Sequence, residues 1–436
     1  MGKRTAKKRT LLAGLLAAGC LGLLSVWLYD TWEKIPSSIR IKAGVEQELS
    51  LGVPGAGEVY LDFPKQDKKT VMATGVQAEN TAELERLPVD LRKPVTMIAN
   101  QMQHYKMDVK LFGVIPFKTV DVQVIPDEML IPAGVPIGIY VKTDGILVID
   151  EGAFEGRDRS RKEPARHLLK AGDYILKADG EAIKTKAELI EKIANAEGKE
   201  LVLTLRRENE TFDVKVKPEQ DVDGKYKLGI WVRDNAQGVG TMTYIQPNHT
   251  FGALGHGIND TDTAGLMEVK SGSLYKTEIV AVKKGQGGTP GELTGIIDYN
   301  PDNKIGSIDV NSTEGIFGTL KEEQAAQIKG EPLPIALKQD VKLGTAQILC
   351  CVDGEKTPQL YDIEIRTIRL DHDNVNRGLE LAVTDEVLLQ KTGGIVQGMS
   401  GSPIIQDGKI VGAVTHVLVN DPKRGYGIFI ENMLQQ

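Results

Sequence analysis

Gly398-Met399-Ser400-Gly401-Ser402-Pro403, then Ile404-Ile405, a polar turn at Gln406-Asp407-Gly408-Lys409 and an apolar run from Ile410 to Val414, is the stretch on which the reading of this chain turns. Glycines flanking a serine let the backbone bend sharply. They also leave the amides of Gly398 and Ser400 free to point at one spot, which is how an oxyanion hole is made. Ser402 points elsewhere in such a turn and is expected to be structural. A serine hydroxyl is a weak nucleophile until a base takes its proton, so a histidine must be presented somewhere else in the chain.

Six histidines are present. His256, in Ala253-Leu254-Gly255-His256-Gly257, lies between two glycines after an apolar run and is the candidate base. It precedes the serine, as in the chymotrypsin group, and the strand, turn and strand after Ser400 resemble the trypsin-like arrangement. His416 follows an apolar run closely and is expected to be a core or strand-end residue, while His104, His167, His249 and His372 stand in polar stretches. Asp385, in Leu381-Ala382-Val383-Thr384-Asp385-Glu386-Val387, is the candidate acid that orients the imidazole. Asp260, Asp262, Asp298 and Asp309 also satisfy the chain order, and Asp385 lies nearer the serine than the chymotrypsin pattern places it. A Ser-His dyad is therefore the alternative to a triad.

The bulk composition narrows the class. The 436 residues exceed one ordinary domain, and 47 glycines with scarce aromatics favour a β-rich protein with many turns. Lys3, Arg4, Lys7, Lys8 and Arg9 put +5 into the first nine residues of a chain whose formal net charge is −7, leaving −12 for the rest. So acidic a body argues against nucleic acid as a partner. Residues 11–28 are almost wholly apolar, follow the basic cluster and precede Asp30 and Glu33. At ~1.5 Å per residue such a helix just crosses ~30 Å of hydrocarbon. It reads as an uncleaved signal anchor with the body outside the cytoplasm, a cleaved signal peptide being the rival. Three cysteines, two of them the neighbours Cys350 and Cys351 in an apolar strand, make no disulfide scaffold. No zinc-ligand spacing and no phosphate-binding loop are found, although Asp371-His372-Asp373 could touch a cation, so neither metal nor cofactor is expected.

Along the chain, residues 1–30 read as the anchor, 31–70 as a Gly-, Pro- and Ser-bearing tether with at most short strands, and 71–126 as a small β-domain with clean period-two alternation at Thr119-Val120-Asp121-Val122-Gln123-Val124. Residues 127–220 resemble a PDZ domain: two strands, a Lys-Ala-Gly-Asp turn, an Asp-Gly turn, a helix over 185–196 and an alternating strand at 201–207. Such domains add an extended peptide to a strand edge beside a helix, and by that resemblance Pro136, Ile137, Gly138 and Ile139 would receive the peptide carboxylate. Residues 221–436 carry many short strands and both His256 and Ser400.

With Leu111-Phe112-Gly113-Val114-Ile115-Pro116-Phe117-Lys118, the PDZ-like unit, Leu254-Gly255-His256-Gly257 and the Ser400 hexapeptide, the chain resembles the stage IV sporulation protein B (SpoIVB) peptidases from the anchor to the end. The resemblance implies a mainly β protein with an N-terminal membrane anchor, a small β-domain, a PDZ-like domain and a trypsin-like double β-barrel. It further implies a serine endopeptidase that cleaves itself near its amino terminus and is exported into the forespore intermembrane space. There it would cleave a regulator of a membrane-embedded metalloprotease, so that pro-sigma-K is processed. Carried over, His256 and Ser400 match the base and nucleophile, and Asp385 the proposed acid. The Arg-rich insertion over 156–163 departs from a compact PDZ. The rival function is a non-catalytic envelope scaffold whose PDZ-like unit binds partner tails.

Overall fold

The computed structural model describes residues 2–49, 59–61, 71–74, 87–89, 95–99, 104–111 and 115–435, except 353, 356 and 371–373. Much of the expected tether, Phe112-Gly113-Val114 and Asp371-His372-Asp373 lie outside the described residues. The chain is mainly β and divides into two units, the first made of residues 1–128, 334–342 and 368–373.

In the first unit, helix α1 (Gly2–Lys34) contains a stretch, Gly14–Glu33, long and apolar enough to cross a membrane. Strand β1 (Ser38–Lys42) follows at once; beyond it come β2 (His104–Leu111) and β3 (Ile115–Ile125). The sheet order is β1-β3-β2, with β1 parallel and β2 antiparallel to β3. The alternation read at 119–124 has its cause here, because Val120, Val122 and Val124 share one face of β3 and are buried, as are Ile39 and Ile41, the register partners of Val122 and Val124. The tether read over 31–70, with at most short strands, carries a short strand near its start. Ser38-Ile39-Arg40-Ile41-Lys42 has strand periodicity that the neighbouring Pro36-Ser37 masked, and it pairs in register from Ser38↔Asp121 to Lys42↔Ile125.

The second unit contains both the PDZ-like sheet and the strands that carry the site. Strand β4 (Pro136–Glu151) runs through both, which is why no linker separates them. After Gly145 it pairs with β5 (Tyr174–Ala178), and helix α2 (Lys186–Asn195) then leads to β6 (Leu201–Arg207) and β7 (Glu210–Val216). The helix starts where Thr185 accepts the Glu188 amide hydrogen bond, and it buries Leu189 and Ile193 on Ile146, Val148, Leu203 and Leu205.

Before Gly145, β4 instead belongs to a ring. It pairs with β8 (Ile230–Ile245) on one edge; on that path follow β9 (Thr250–Ala253), β10 (Val269–Lys283), β11 (Lys304–Ser312) and β12 (Gly315–Leu320). The order β4-β10-β11-β12-β9-β8 closes when β8 meets β4 again. Ile137, Ile139, Val141, Met242, Phe251, Leu274 and Ile316 fill it. A second closed barrel follows, from β13 (Gly344–Cys350), β14 (Gln359–Ile368), β15 (Leu379–Val383), helix α3 (Glu386–Thr392) in the connection, then β16 (Pro403–Gln406), β17 (Lys409–Leu418) and β18 (Asp421–Phe429). Its strand order is β13-β14-β15-β18-β17-β16. The expected double β-barrel is present, and Cys350 and Cys351 are buried and unbridged in it.

Candidate active site

Ser400 stands in the turn between α3 and β16. Gly398 and Gly401 both have φ of +96°, the left-handed region, so the flanking glycines are needed for backbone reasons alone. Gly401 is needed for space as well: a Cβ there would lie 1.9 Å from Thr241 O and 2.5 Å from Leu254 N. The peptide units of the turn are held one by one. Gln397 O accepts from Leu293 N–H (2.8 Å), Gly398 O from the Thr241 hydroxyl (2.8 Å), Met399 O from Ser402 N–H and hydroxyl (3.0 and 2.6 Å), and Ser400 O from Thr241 N–H (2.9 Å). On the donor side, Gln397, Met399, Gly401 and Ser402 spend their amides on Gly291, Val396, Val414 and Met399 carbonyls. The amides of Gly398 and Ser400 donate to no other described residue. A backbone donor left over in a half-buried turn is what an incoming oxyanion requires.

His256 follows a second strained turn. After β9, Leu254 and Gly255 both have φ of +69°, and a leucine in that region is an outlier of the kind that clusters at functional sites. The His256 ring is half-buried, with Nδ1 2.8 Å from Gly257 O. A carbonyl only accepts, so Nδ1 carries the proton and Nε2 is left as the basic nitrogen. Burial holds this imidazole below its usual value, partly offset by the Gly257 bond. The ring of His416, a residue exposed as a whole, lies 4.8 Å away between centroids. Its pKa is lowered to about 4, by lost hydration first and then by the charges of His256 and Arg377. The two turns are tied together: Asn376 Nδ2–H donates to Gly255 O (2.6 Å), the Thr415 hydroxyl donates to Asn376 O (2.7 Å), and Thr415 O accepts the Ser400 hydroxyl (2.7 Å). Ser400 and His256 are not hydrogen-bonded to each other here, so the hydroxyl must turn from Thr415 O before its proton can pass to the imidazole.

Asp385 is placed elsewhere, which corrects its reading as the orienting acid. It is the N-cap of α3: its carboxylate accepts from Leu388 N–H (2.9 Å) and Asp362 N–H (3.3 Å), and its own amide donates to Asp362 O (3.0 Å). Carboxylate before a short amphipathic helix is a capping signal as well as a triad signal, and sequence order does not separate the two. Among the described residues no carboxylate bonds His256, and Gly257 O occupies the orienting position. Asp385→Asn, which keeps a capping oxygen, is expected to leave kcat/KM within about 3-fold, whereas Asp385→Ala is expected to lower unfolding free energy by about 1 kcal/mol without silencing the enzyme. Peptide turnover and a urea melt measure both. A loss of about 10⁴-fold in Asp385→Asn would restore it to the catalytic set.

Residues 224–434 match the family model SpoIVB peptidase S55, and residues 137–217 match that of the PDZ domain. The family that the sequence resembles is thus matched over residues 224–434. The chain is a serine peptidase. No curated protein matches it. Among solved structures it is similar to the PDZ domain of the SdrC-like protein from Listeria monocytogenes, at 26% identity over 20% of this chain and 87% of that one, with a TM-score of 0.17. It is also similar to the Rv3671c protease from M. tuberculosis, active form, at 14% identity over 46% and 73% of the chains with a TM-score of 0.28, and to the inactive form at 16%, 45% and 82% with 0.27.

The peptidase's expected carboxylate-receiving residues need correction too. Ile137, Gly138 and Ile139 are hydrogen-bonding neighbours of β8 on one edge and β10 on the other, as in Ile137↔Gly240 and Ile137↔Lys276, and Pro136 has no amide hydrogen to offer. Ile137 and Ile139 are 0% and 5% exposed. No peptide can add there, because both edges are already used. The same apolar-Gly-apolar pattern recurs at Leu228-Gly229-Ile230. Gly229 has φ of +71°, Leu228 O and Gly229 O accept from Ala165 and Gly152, and the amides of Leu228 and Gly229 donate to no other described residue. From Ile230 to Gly238, β8 pairs with β4 alone among the described residues. Helix α2 lies beside this stretch: Lys186 N–H donates to the Asp234 carboxylate (2.8 Å), and Ile230 and Val232 pack in the core that holds Leu189 and Ile193.

Proposed function

We propose that this peptidase hydrolyses peptide bonds through an acyl-enzyme on Ser400. His256 Nε2 takes the hydroxyl proton and returns it to the leaving amine, Gly257 O keeps the imidazole in the required tautomer, and the amides of Gly398 and Ser400 hold the oxyanion. The observation that carries this reading is the turn at 397–402, where every other amide is spent and those two are left. Labelling by a fluorophosphonate tests it, since the reagent needs an activated serine: the adduct is expected on Ser400, and an adduct on another serine would overturn the assignment.

In the same reading α1 anchors the chain, the body lies outside the cytoplasm, and the enzyme releases itself by cutting near its amino terminus. Its physiological substrate is then a membrane-protein regulator in the forespore intermembrane space, as the family resemblance implies. The PDZ unit receives an extended, apolar carboxyl-terminal peptide along the open edge of β8, with its carboxylate on the Leu228 and Gly229 amides and its last side chain toward Ile190, which is 58% exposed on α2. Short peptides with free apolar carboxyl termini, titrated into the Ser400→Ala protein, are expected to bind at least ~10-fold more tightly than their amidated forms, because a charge-assisted contact is lost with the carboxylate. Ile190→Glu is expected to weaken them similarly. Equal binding of acid and amide, indifferent to Ile190→Glu, would remove the groove.

A further inference from the structure

Thr241 lies on β8, 3% exposed, and each of its polar groups is spent on a segment that carries the site. Its N–H donates to Ser400 O and its hydroxyl to Gly398 O. Its carbonyl accepts Leu254 N–H (3.2 Å), two residues before His256. We infer that Thr241 is a positioning residue of the peptidase reaction, one that fixes the Gly398–Met399 and Ser400–Gly401 peptide units and ties them to the turn presenting His256. The inference rests on Ser400 being the nucleophile.

The physical need for such a clamp comes from the glycines. Positive φ at Gly398 and Gly401 makes the turn possible but leaves it soft, because glycine has several backbone wells of similar energy. Oxyanion donors work only if they are already aimed when charge develops, so a soft turn requires its carbonyls to be held from outside. Leu293 and Ser402 hold those of Gln397 and Met399; Thr241 holds those of Gly398 and Ser400. Without the Thr241 hydroxyl, the Gly398–Met399 peptide unit keeps only the bond from Met399 N–H to Val396 O (3.1 Å). Its rotation moves the backbone between the two unspent amides.

Thr241→Val tests this with the least disturbance, since valine keeps the shape, the β-branch and both backbone bonds and removes only the hydroxyl. The expected result is a kcat lower by about 10- to 100-fold with KM within about 3-fold, in line with the cost of misaligning an oxyanion donor. The inhibition constant of a peptide boronic acid, whose tetrahedral adduct needs the same donors, should rise by the factor that kcat/KM falls. Thr241→Ser should stay within about 3-fold of wild type, because it restores the bond to Gly398 O. Normal kcat in Thr241→Val, equal damage in Thr241→Ser, or lost turnover with unchanged boronate affinity would each overturn the inference. Melting curves accompany the assays; if Thr241→Val does not fold, Thr241→Ala is compared with Thr241→Ser at lower temperature, and if neither Val nor Ala folds the hydroxyl is structural and the inference falls. Ser400→Ala is the control that separates the two readings. If it still turns over substrate, the site itself is wrong; if it is dead while Thr241→Val is normal, only the clamp is wrong.

Discussion

Ser400→Ala is expected to abolish peptide cleavage, a loss on the order of 10⁶ in kcat, because removing a nucleophile leaves only the binding and oxyanion contributions. The fold should survive. Among the described residues the hydroxyl makes one hydrogen bond, to Thr415 O, and such a bond contributes about 1 kcal/mol net. The same substitution reads out self-processing. Ser38–Lys42 is paired to β3 along its length and Gln47–Leu49 is paired to the strand Val95–Ala99, and protease sites require extended chain that is not already in a sheet, so a self-made cut is expected after Leu49, within the Gly- and Pro-bearing stretch that runs to Gly57. Amino-terminal sequencing of the mature protein should find wild type beginning there and Ser400→Ala intact and membrane-bound. Unchanged turnover in the variant would end the Ser400 reading. A truncated, soluble Ser400→Ala protein would instead assign the cut to another protease.

His256→Ala should be about as damaging as Ser400→Ala, and the double variant little worse than either, since members of one catalytic unit are not additive. His416→Ala should keep most of the activity: its ring stacks near His256 but belongs to an exposed residue and bonds to neither turn. The pH profile carries a second signature. His256 is held below 6.5 by burial, so its neutral, basic form persists to lower pH than in a free imidazole, and the acid limb of kcat/KM should fall below pH 6.5. Stability follows the same sign. For a histidine whose folded pKa is depressed, the unfolded chain takes up protons first as pH falls through 6.5, so the native state loses stability from there downward toward the folded values, about 4 for His416. An acid limb above pH 6.5, or a silent His416→Ala beside an active His256→Ala, would remove His256 as the base.

What could be read from the sequence is what short-range geometry dictates. A glycine-flanked serine must sit in a tight turn, valines at every second position must share one face of a strand, and Thr185 ahead of an amphipathic run must cap a helix; each depends on residues within a few positions. The roles proposed for Ser400 and His256 start from such patterns, whereas the double β-barrel is implied by the family resemblance. Partner choice does not follow from them. Ile137-Gly138-Ile139 and Leu228-Gly229-Ile230 look alike as strings, and only the closing of the ring by β8 on β4 fills both edges of the first and leaves the amides of the second unspent. Asp385 reads equally as acid or cap until α3 is seen to start on it. Thr241 carries no local signal at all, because its hydroxyl meets Gly398 O across 157 positions of chain. A hydrogen bond is satisfied by whichever group the fold brings within 3 Å, and that identity is fixed by strand order and barrel closure, properties of the tertiary structure that no window of sequence contains.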